Sequence, residues 1–394
     1  MKITRIIYDW PQPWAGLSPA PYEMTKAQVR LGHSFNIFCG FWPSSGGAEE
    51  LEGVKLHKFI REPISGTLCL TTSVLAFIKY FFWKDHGNTD IVHSHGHLGI
   101  WIYFYRKLLK KYFPKASELD TPFVTHFHNT FEGRKEKMES KGQSSKPISK
   151  YISWPLGAKS DQWAVEVSDA MIFVSNELKE EAIKYYNADP NKCFVIESGV
   201  NDKLFCPTKI EEIHKSRKDI GFEYDDKVIL NLGMQVERKN IHLLIEALPF
   251  LPPYYKLLLV GSGDDEYGLK LEELIHKLGL RERVKRAQYT PYPQAHIAYQ
   301  MSDIFVLPSS FEGLPKAVLE ALSCGIPALV SGFKASKEIR GLSYLQNLEP
   351  KNIADNILNI TSQPKNVDRT AVILNYSWDV KAREVDEVYR HIVK

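Results

Sequence analysis

The chain has 394 residues, 44% of them hydrophobic and 25% charged, which excludes a disordered or fibrous protein; at roughly 100–200 residues per domain it should hold two or three domains with full-sized cores. Its 50 Lys and Arg against 47 Asp and Glu leave a net charge of only +3, too small a basic excess for a nucleic-acid binder. Five scattered cysteines (Cys39, Cys69, Cys193, Cys206, Cys324) show no zinc-ligand spacing and no disulfide framework, so a reducing compartment is expected. At the start, Arg5 and Asp9 break the apolar stretch that a signal peptide needs. Ile3–Tyr8 therefore reads as a first buried strand, and the protein is expected to stay in the cytoplasm. The most apolar segment, Leu68–Trp83, contains Lys79 and is shorter than the roughly 20 residues of a membrane span, so it is expected to be a core helix.

Short runs rich in Val, Ile and Phe alternate with longer segments of helical period, the pattern of a parallel sheet with crossover helices. The strands expected in the first half are Ile3–Tyr8, Ser34–Cys39, Ile91–His93, Phe123–His126, Ala170–Val174 and Cys193–Ile196. In the second half they are Val228–Leu232, Tyr255–Val260, Val284–Ala287, Ile304–Leu307 and Ala328–Val330. This count predicts two doubly wound α/β domains. Gly, Pro and dense charge between Gly199 and Lys227 mark the boundary, with a linker at 200–210. We divide the chain into 1–204, 205–376 and a last amphipathic helix, 377–394, in which Val380, Val385, Val388, Tyr389 and Ile392 recur at helical spacing. Asn129–Lys150 is expected to be a long polar loop.

Chemistry concentrates in "MSDIFVLPSSFEGLPKAVLEALSCGIPALVS". A strand ending at Leu307 should lead through a loop, Pro308–Pro315, into a helix over Lys316–Ser323. The backbone from Leu314 to Ala317 would then lie at a helix N-terminus, where unpaired N–H groups and the dipole favour an anion, naturally a phosphate. Glu312 in the loop and Glu320 on the helix can both face the crevice beyond the strand ends, where carboxylates accept hydrogen bonds from sugar or ribose hydroxyls. Read alone, the same two residues equally suit a loop glutamate and a solvated helix glutamate.

Other stretches occur in the same order as in one family: "RLGH" (Arg30–His33), "DIVHSHGH" (Asp90–His97), "SDAMIFVSNELKEE" (Ser168–Glu181), "VIESGVNDKLFCP" (Val195–Pro207), "NLGMQVERKN" (Asn231–Asn240) and "LLLVGSGDD" (Leu257–Asp265). With the two-glutamate segment, they make nearly the whole chain resemble the family-four retaining glycosyltransferases. The resemblance implies the GT-B architecture: two Rossmann-like domains facing a central cleft, an N-terminal acceptor-binding one and a C-terminal nucleotide-sugar-binding one, with the last helix returning to the N-terminal domain. It also implies transfer of a sugar from a nucleotide diphosphate sugar with retention of configuration, without a required metal or other cofactor.

By the same resemblance, Glu320 should bind the nucleotide ribose and Glu312 the hydroxyls of the transferred sugar. Gly313, Leu314, Pro315, Lys316, Ala317 and Val318 should hold sugar and diphosphate through the backbone, and Lys239 should pair with the diphosphate. A fixed ammonium there would stabilise the charge that grows on the leaving group. The chain departs from the family at Met234, where most relatives carry an arginine that shares the diphosphate; Arg238 is the candidate replacement, since a guanidinium pairs with phosphate bidentately, and a merely exposed arginine is the alternative. His128, just after the fourth strand, matches a family histidine that touches the donor sugar. Gly16 falls where relatives bring a glycine-rich backbone close to donor phosphate, although the usual paired glycines are reduced. For His93 and His95 a packing or supporting role is expected. Alternate strand residues are expected to point to opposite faces, so no metal shared by His93, His95 and His97 is expected.

Arg106–Lys115 carries five basic and no acidic residues, and Arg134–Lys150 carries six basic residues against Glu136 and Glu139. With exposed aromatics such as Tyr112 and Phe113, these stretches suit either a solvated face and loop or an acceptor site at an anionic membrane, peripheral on its inner face. The expected partners are thus a UDP-, GDP- or ADP-linked sugar and a glycan, lipid-linked or small-molecule acceptor in glycoconjugate or polysaccharide synthesis. The alternative is a catalytically weak nucleotide-sugar-binding or assembly subunit of the same fold, suggested by Met234 and the reduced glycine loop.

Overall fold

The structure, a computed structural model, describes residues 1–393 except 13, 15–17, 43–47, 62–68, 84–87, 140–153 and 264. It divides into unit 1, Met1–Glu197 with Trp378–Lys394, and unit 2, Ser198–Ser377. In unit 1 the strands are β1 (Lys2–Ile7), β2 (Ser34–Phe41), β3 (Val54–Ile60), β4 (Ile91–His95), β5 (Phe123–Phe127), β6 (Ala170–Phe173) and β7 (Cys193–Val195). They form one sheet in the order β3-β2-β1-β4-β5-β6-β7, with every neighbouring pair parallel. Its helices are α1 (Pro19–Arg30), α2 (Cys69–Phe81), α3 (Ile100–Tyr112), α4 (Phe131–Glu139), α5 (Trp154–Val167) and α6 (Asn176–Tyr186). Parallel strands need crossovers, and crossover helices cover both faces, which is why β5 and β6 are buried at every position.

Unit 2 repeats the plan with β8 (Lys227–Leu232), β9 (Tyr255–Val260), β10 (Val284–Ala287), β11 (Ile304–Leu307), β12 (Ala328–Val330) and β13 (Leu342–Tyr344), ordered β10-β9-β8-β11-β12-β13 and again parallel throughout. Its helices are α7 (Ile210–Asp219), α8 (Ile241–Ala247), α9 (Asp265–Lys277), α10 (His296–Gln300), α11 (Lys316–Ser323), α12 (Pro350–Thr361) and α13 (Arg369–Tyr376). None of the described helices is long and apolar enough to cross a membrane.

Four details differ from the sequence reading. The two strands it missed, β3 and β13, lie at sheet edges and lack a continuous apolar run. The segment expected as a linker belongs to unit 2: Val200 donates its N–H to the Tyr376 carbonyl (2.7 Å), and Phe205 is fully buried in that unit's core. The polar loop expected from Asn129 begins instead with α4. Asp161 accepts the Phe131 N–H (2.8 Å) and Thr130 Oγ1 accepts the Gly133 N–H (3.2 Å), so side chains from outside the helix satisfy its first donors where no apolar stripe could announce it. The rest of that stretch lies outside the described residues. Arg106, counted among the solvated basic residues, turns inward over the Phe123 ring, 5.6 Å from its centroid.

The last helix, α14 (Trp378–Ile392), joins unit 1 although it follows all of unit 2 in sequence. Its stripe of Trp378, Ala382, Val385, Val388 and Tyr389 is buried among Ile3, Met24 and Ile37. The apolar contact is fixed by a buried polar clamp. Arg5, fully buried on β1, donates to Thr25 and Gln28 of α1 and to the Tyr389 hydroxyl (3.2 Å), with its guanidinium 4.8 Å from the Phe35 ring centroid. The same hydroxyl bonds His93 Nδ1. Tyr389→Phe keeps the ring but takes the hydroxyl from buried His93 Nδ1 and one of the three bonds from Arg5, and should cost unit 1 about 1–3 kcal/mol. Urea unfolding followed by hydrogen exchange should show β1 and β4 amides losing protection earlier, with unit 2 amides unchanged.

Candidate functional site

In an open parallel sheet, ligands bind beyond the carboxyl ends of the strands where the winding reverses. In unit 2 that point lies between β8 and β11. The loops leaving these strands, 233–240 and 308–315, are tied together: Ser310 N–H donates to the Arg238 carbonyl (2.8 Å), and Asn240 Nδ2 donates to the Pro308 carbonyl (2.9 Å) and Ser310 Oγ (3.0 Å). Between them sits an ion cluster. Glu312 Oε1 accepts from Arg238 Nη1 (2.7 Å) and Ser309 Oγ (3.0 Å), and lies 3.4 Å from Lys239 Nζ. Lys239 is buried, and that burial lowers its pKa from the ordinary lysine value while Glu312 opposes the fall. Gly233, at φ 141°, brings its backbone so near that a side-chain carbon there would lie 3.1 Å from Lys239 Nζ. Arg238 and Lys239 thus share one carboxylate counter-ion, while Met234 is exposed.

Helix α11 opens beside this cluster, capped by no side chain, so the Lys316 and Ala317 amides stand at its N-terminus. A Cβ built at Gly313 would meet no protein atom within 4 Å, so packing inside the protein does not demand the glycine. Two of the backbone donors expected over Gly313–Val318 are absent: Pro315 has no N–H, and the Val318 N–H is spent on the Pro315 carbonyl (3.0 Å). The Leu314 and Val318 side chains are buried in the unit 2 core. Glu320 is not a solvated helix residue. It is buried, accepts from the Tyr299 hydroxyl (2.7 Å), and is pushed up from the ordinary carboxylate pKa by that burial.

A neighbouring cavity of about 560 Å³ lies beyond β8, β9 and β10, lined by Gln235, Gly261, Ser262, Gly263, Arg286 and Gln288 among others. Arg286 is held there by Gln235 Oε1 (2.6 Å) and Glu272 Oε1 (2.6 Å). Gln235 and Glu272 were missed in the sequence, where nothing pairs residues so far apart.

In unit 1 the winding reverses between β1 and β4. Gly16, beyond β1, lies outside the described residues. At the ends of β4 and β5, four imidazoles stack: His93 on His95 (4.9 Å between centroids), His95 on His126 (5.0 Å) and His126 on His128 (4.7 Å). The rings lie on one face, not on the opposite faces expected from the sequence. Residues two apart on a strand share a face, so His93 and His95 lie together, and strand register sets His126 opposite His95. His97 belongs to a separate turn and faces Asp161 at 3.7 Å. Nitrogens of His93, His95 and His126 lie within 4.8 Å of one another. Nitrogens around tetrahedral zinc are only about 3.3 Å apart, given bonds of about 2.0 Å, and each ring plane must contain the metal; parallel rings 11–22° apart form a stack rather than a coordination sphere.

Burial drives the pKa of His93, His95 and His126 well below that of free histidine, and their mutual repulsion with Arg5 adds to it. These rings are therefore neutral in the fold but take up protons in the unfolded chain below pH ~6.5. Stability is complete above that pH and falls as the pH drops toward the folded values, by up to roughly 4 kcal/mol per pH unit for the three groups together. Urea midpoints measured from pH 7.5 to 5 should fall steeply for unit 1.

Two doubly wound α/β units, each on an all-parallel sheet, the second with paired cations and a carboxylate at its switch point, form an architecture suited to an anionic ligand. The family models for Glycosyltransferase Family 4 and Glycosyl transferases group 1 match residues 16–204 and 212–370, and the chain belongs to the GT-B glycosyltransferases of family four. It is 27% identical to an uncharacterised glycosyltransferase of Methanocaldococcus jannaschii, over 99% of this chain and 98% of that protein. Its fold is similar to sucrose-phosphate synthase of Thermosynechococcus elongatus (TM-score 0.75, 16% identity, 99% and 98% of the two chains). It is also similar to Anabaena HepE in complex with UDP and glucose (TM-score 0.72, 15% identity, 99% of both chains).

Proposed function

We propose that the protein is a retaining glycosyltransferase that moves a sugar from a nucleotide diphosphate sugar to a hydroxyl acceptor in glycoconjugate or polysaccharide synthesis, without a bound metal. The observation that carries this reading is the Arg238–Lys239–Glu312 cluster at the switch point of unit 2. Without a donor, the two cations share Glu312. An incoming diphosphate takes over both cations and releases the carboxylate to hydrogen-bond the sugar. As the bond from the anomeric carbon to phosphate oxygen breaks, Lys239, Arg238 and the α11 amides stabilise the growing charge, the task a metal ion would otherwise perform. Glu320 binds the ribose, the cavity beside Arg286 takes the base, and the departing phosphate receives the acceptor proton. His128 acts on substrate at the carboxyl edge of unit 1. Arg238 stands in for the arginine missing at Met234, which favours an enzyme over an assembly subunit.

Thermal shift with UDP-, GDP- and ADP-sugars should single out one donor by mass action. With that donor, Lys239→Ala should lower kcat by about 100-fold or more, and Arg238→Ala by about 10-fold or more. Glu312→Ala should lower turnover while nucleotide binding persists. Unchanged turnover in Arg238→Ala would remove its compensating role, and a Glu312→Ala protein as active as the parent would return the assembly-subunit reading.

The acceptor side is proposed to work at an anionic membrane surface. On α2 and α3, Ile78, Phe81, Leu108 and Tyr112 are exposed, followed just past the helix ends by Phe82 and Phe113, and Lys107, Lys110 and Lys111 lie among them on α3. Apolar side chains flanked by lysines suit the boundary between headgroups and acyl chains. The protein should sediment with anionic vesicles at low salt and be released at high salt; failure to sediment at low salt would remove the membrane from the reading.

A further inference from the structure

Gln235 lines the cavity beyond β8, β9 and β10, and its carboxamide is locked in one orientation. The backbone there is fixed. The Gln235 N–H donates to the Ser262 carbonyl (3.1 Å), and Gly263 packs so closely that a Cβ on it would fall 1.9 Å from the Gln235 carbonyl oxygen. The 2.6 Å bond from Arg286 Nη2 decides which way the side chain faces, because a guanidinium only donates and must meet the amide oxygen. Arg286 is held in turn, since its Nη1 donates to the Gly268 carbonyl (3.0 Å) and to Glu272 Oε1 on α9 (2.6 Å). With its oxygen spent on Arg286, Gln235 has only its amide nitrogen left to offer. Among the described residues Nε2 bonds none, yet it is not sealed from solvent. In a residue only 3% exposed, the space open to that nitrogen is the cavity.

We propose that Gln235 is a base-recognition residue: its Nε2 donates to a ring-carbonyl oxygen of the donor's base, so the site takes uracil or guanine rather than adenine. This role rests on the reading that the cavity holds the base of a nucleotide sugar, and it narrows the choice of base. Uracil and guanine carry ring carbonyls that accept a hydrogen bond, whereas adenine has none and presents an exocyclic amino group, itself a donor. Set against Nε2 and the neighbouring guanidinium, that amino group would bring a donor to donors and leave the Gln235 N–H unpaired in a filled cavity. A site built around a fixed hydrogen bond rejects a ligand that lacks the partner far more strongly than an apolar pocket does. Arg286 is a positioning residue here, acting on the base through the amide it orients.

Isothermal titration of the full chain with UDP, GDP and ADP, none of them carrying a sugar, tests the role. UDP or GDP should bind about tenfold or more tighter than ADP. Gln235→Glu keeps an acceptor for Arg286 but replaces the donor with a second oxygen, and should lower the ratio of that affinity to the ADP affinity by about tenfold or more. Arg286→Met frees the amide to turn, and should lower the same ratio by about threefold or more. A merely structural loss would weaken all three nucleotides alike and leave the ratio unmoved. An unchanged ratio in Gln235→Glu would overturn the base-recognition role, and an unchanged ratio in Arg286→Met would overturn the positioning role. ADP binding to the parent protein as tightly as UDP and GDP would refute the proposal even if both variants misfold, while leaving the nucleotide-sugar reading of unit 2 standing. Failure of all three nucleotides to bind would defeat that reading itself, and base recognition with it.

Discussion

Both units obey one constraint: a sheet whose described strands all run parallel can be wound only through crossovers, so every strand delivers its chain to the same edge. Where the winding reverses, between β1 and β4 and between β8 and β11, two successive loops diverge and leave a gap. The residues with chemical content gather there. Lys239 and Glu312 are far apart in sequence but meet because β8 and β11 are neighbours. His95 and His126 meet because β4 and β5 are.

The two switch points treat charge in opposite ways. In unit 2, two cations and one carboxylate sit together, partly screened from water, each supplying what the others need. In the proposed function a diphosphate would enter by exchange with Glu312, so the cations need not be rebuilt or rehydrated when it binds; such preorganisation is what makes electrostatic catalysis effective. In unit 1, four rings that could each carry a proton are packed so closely that burial and mutual repulsion keep His93, His95 and His126 neutral.

The partner that holds the His93 ring comes from far away in sequence. Helix α14 follows all of unit 2, yet Tyr389 supplies the hydroxyl that orients His93, and Arg5 on the first strand orients that hydroxyl. Folding of unit 1 thus requires both ends of the chain. The apolar stripe of α14 provides the adhesion, and the Arg5 clamp selects the rotation and depth at which the helix docks, since a different seating would strand a buried guanidinium.

The sequence by itself determined a good deal. Apolar runs bounded by turn residues located the inner strands, because a strand covered on both faces must be apolar throughout; β9, β11 and β12 need no adjustment. The segment Glu312–Glu320 and the Lys239 loop carried the family resemblance, because their chemistry is local. The strands β3 and β13 were lost because neither carries a continuous apolar run, and α4 was lost because its first donors are satisfied by Asp161 and Thr130 rather than by a helical pattern of its own. Only the tertiary structure decided that Arg238 and Lys239 share Glu312, that Gln235 and Glu272 hold Arg286, and that His93 and His95 lie on one face under Tyr389. Each of these is a contact between elements brought together by strand order or helix docking, and spacing along the chain carries no record of such a contact.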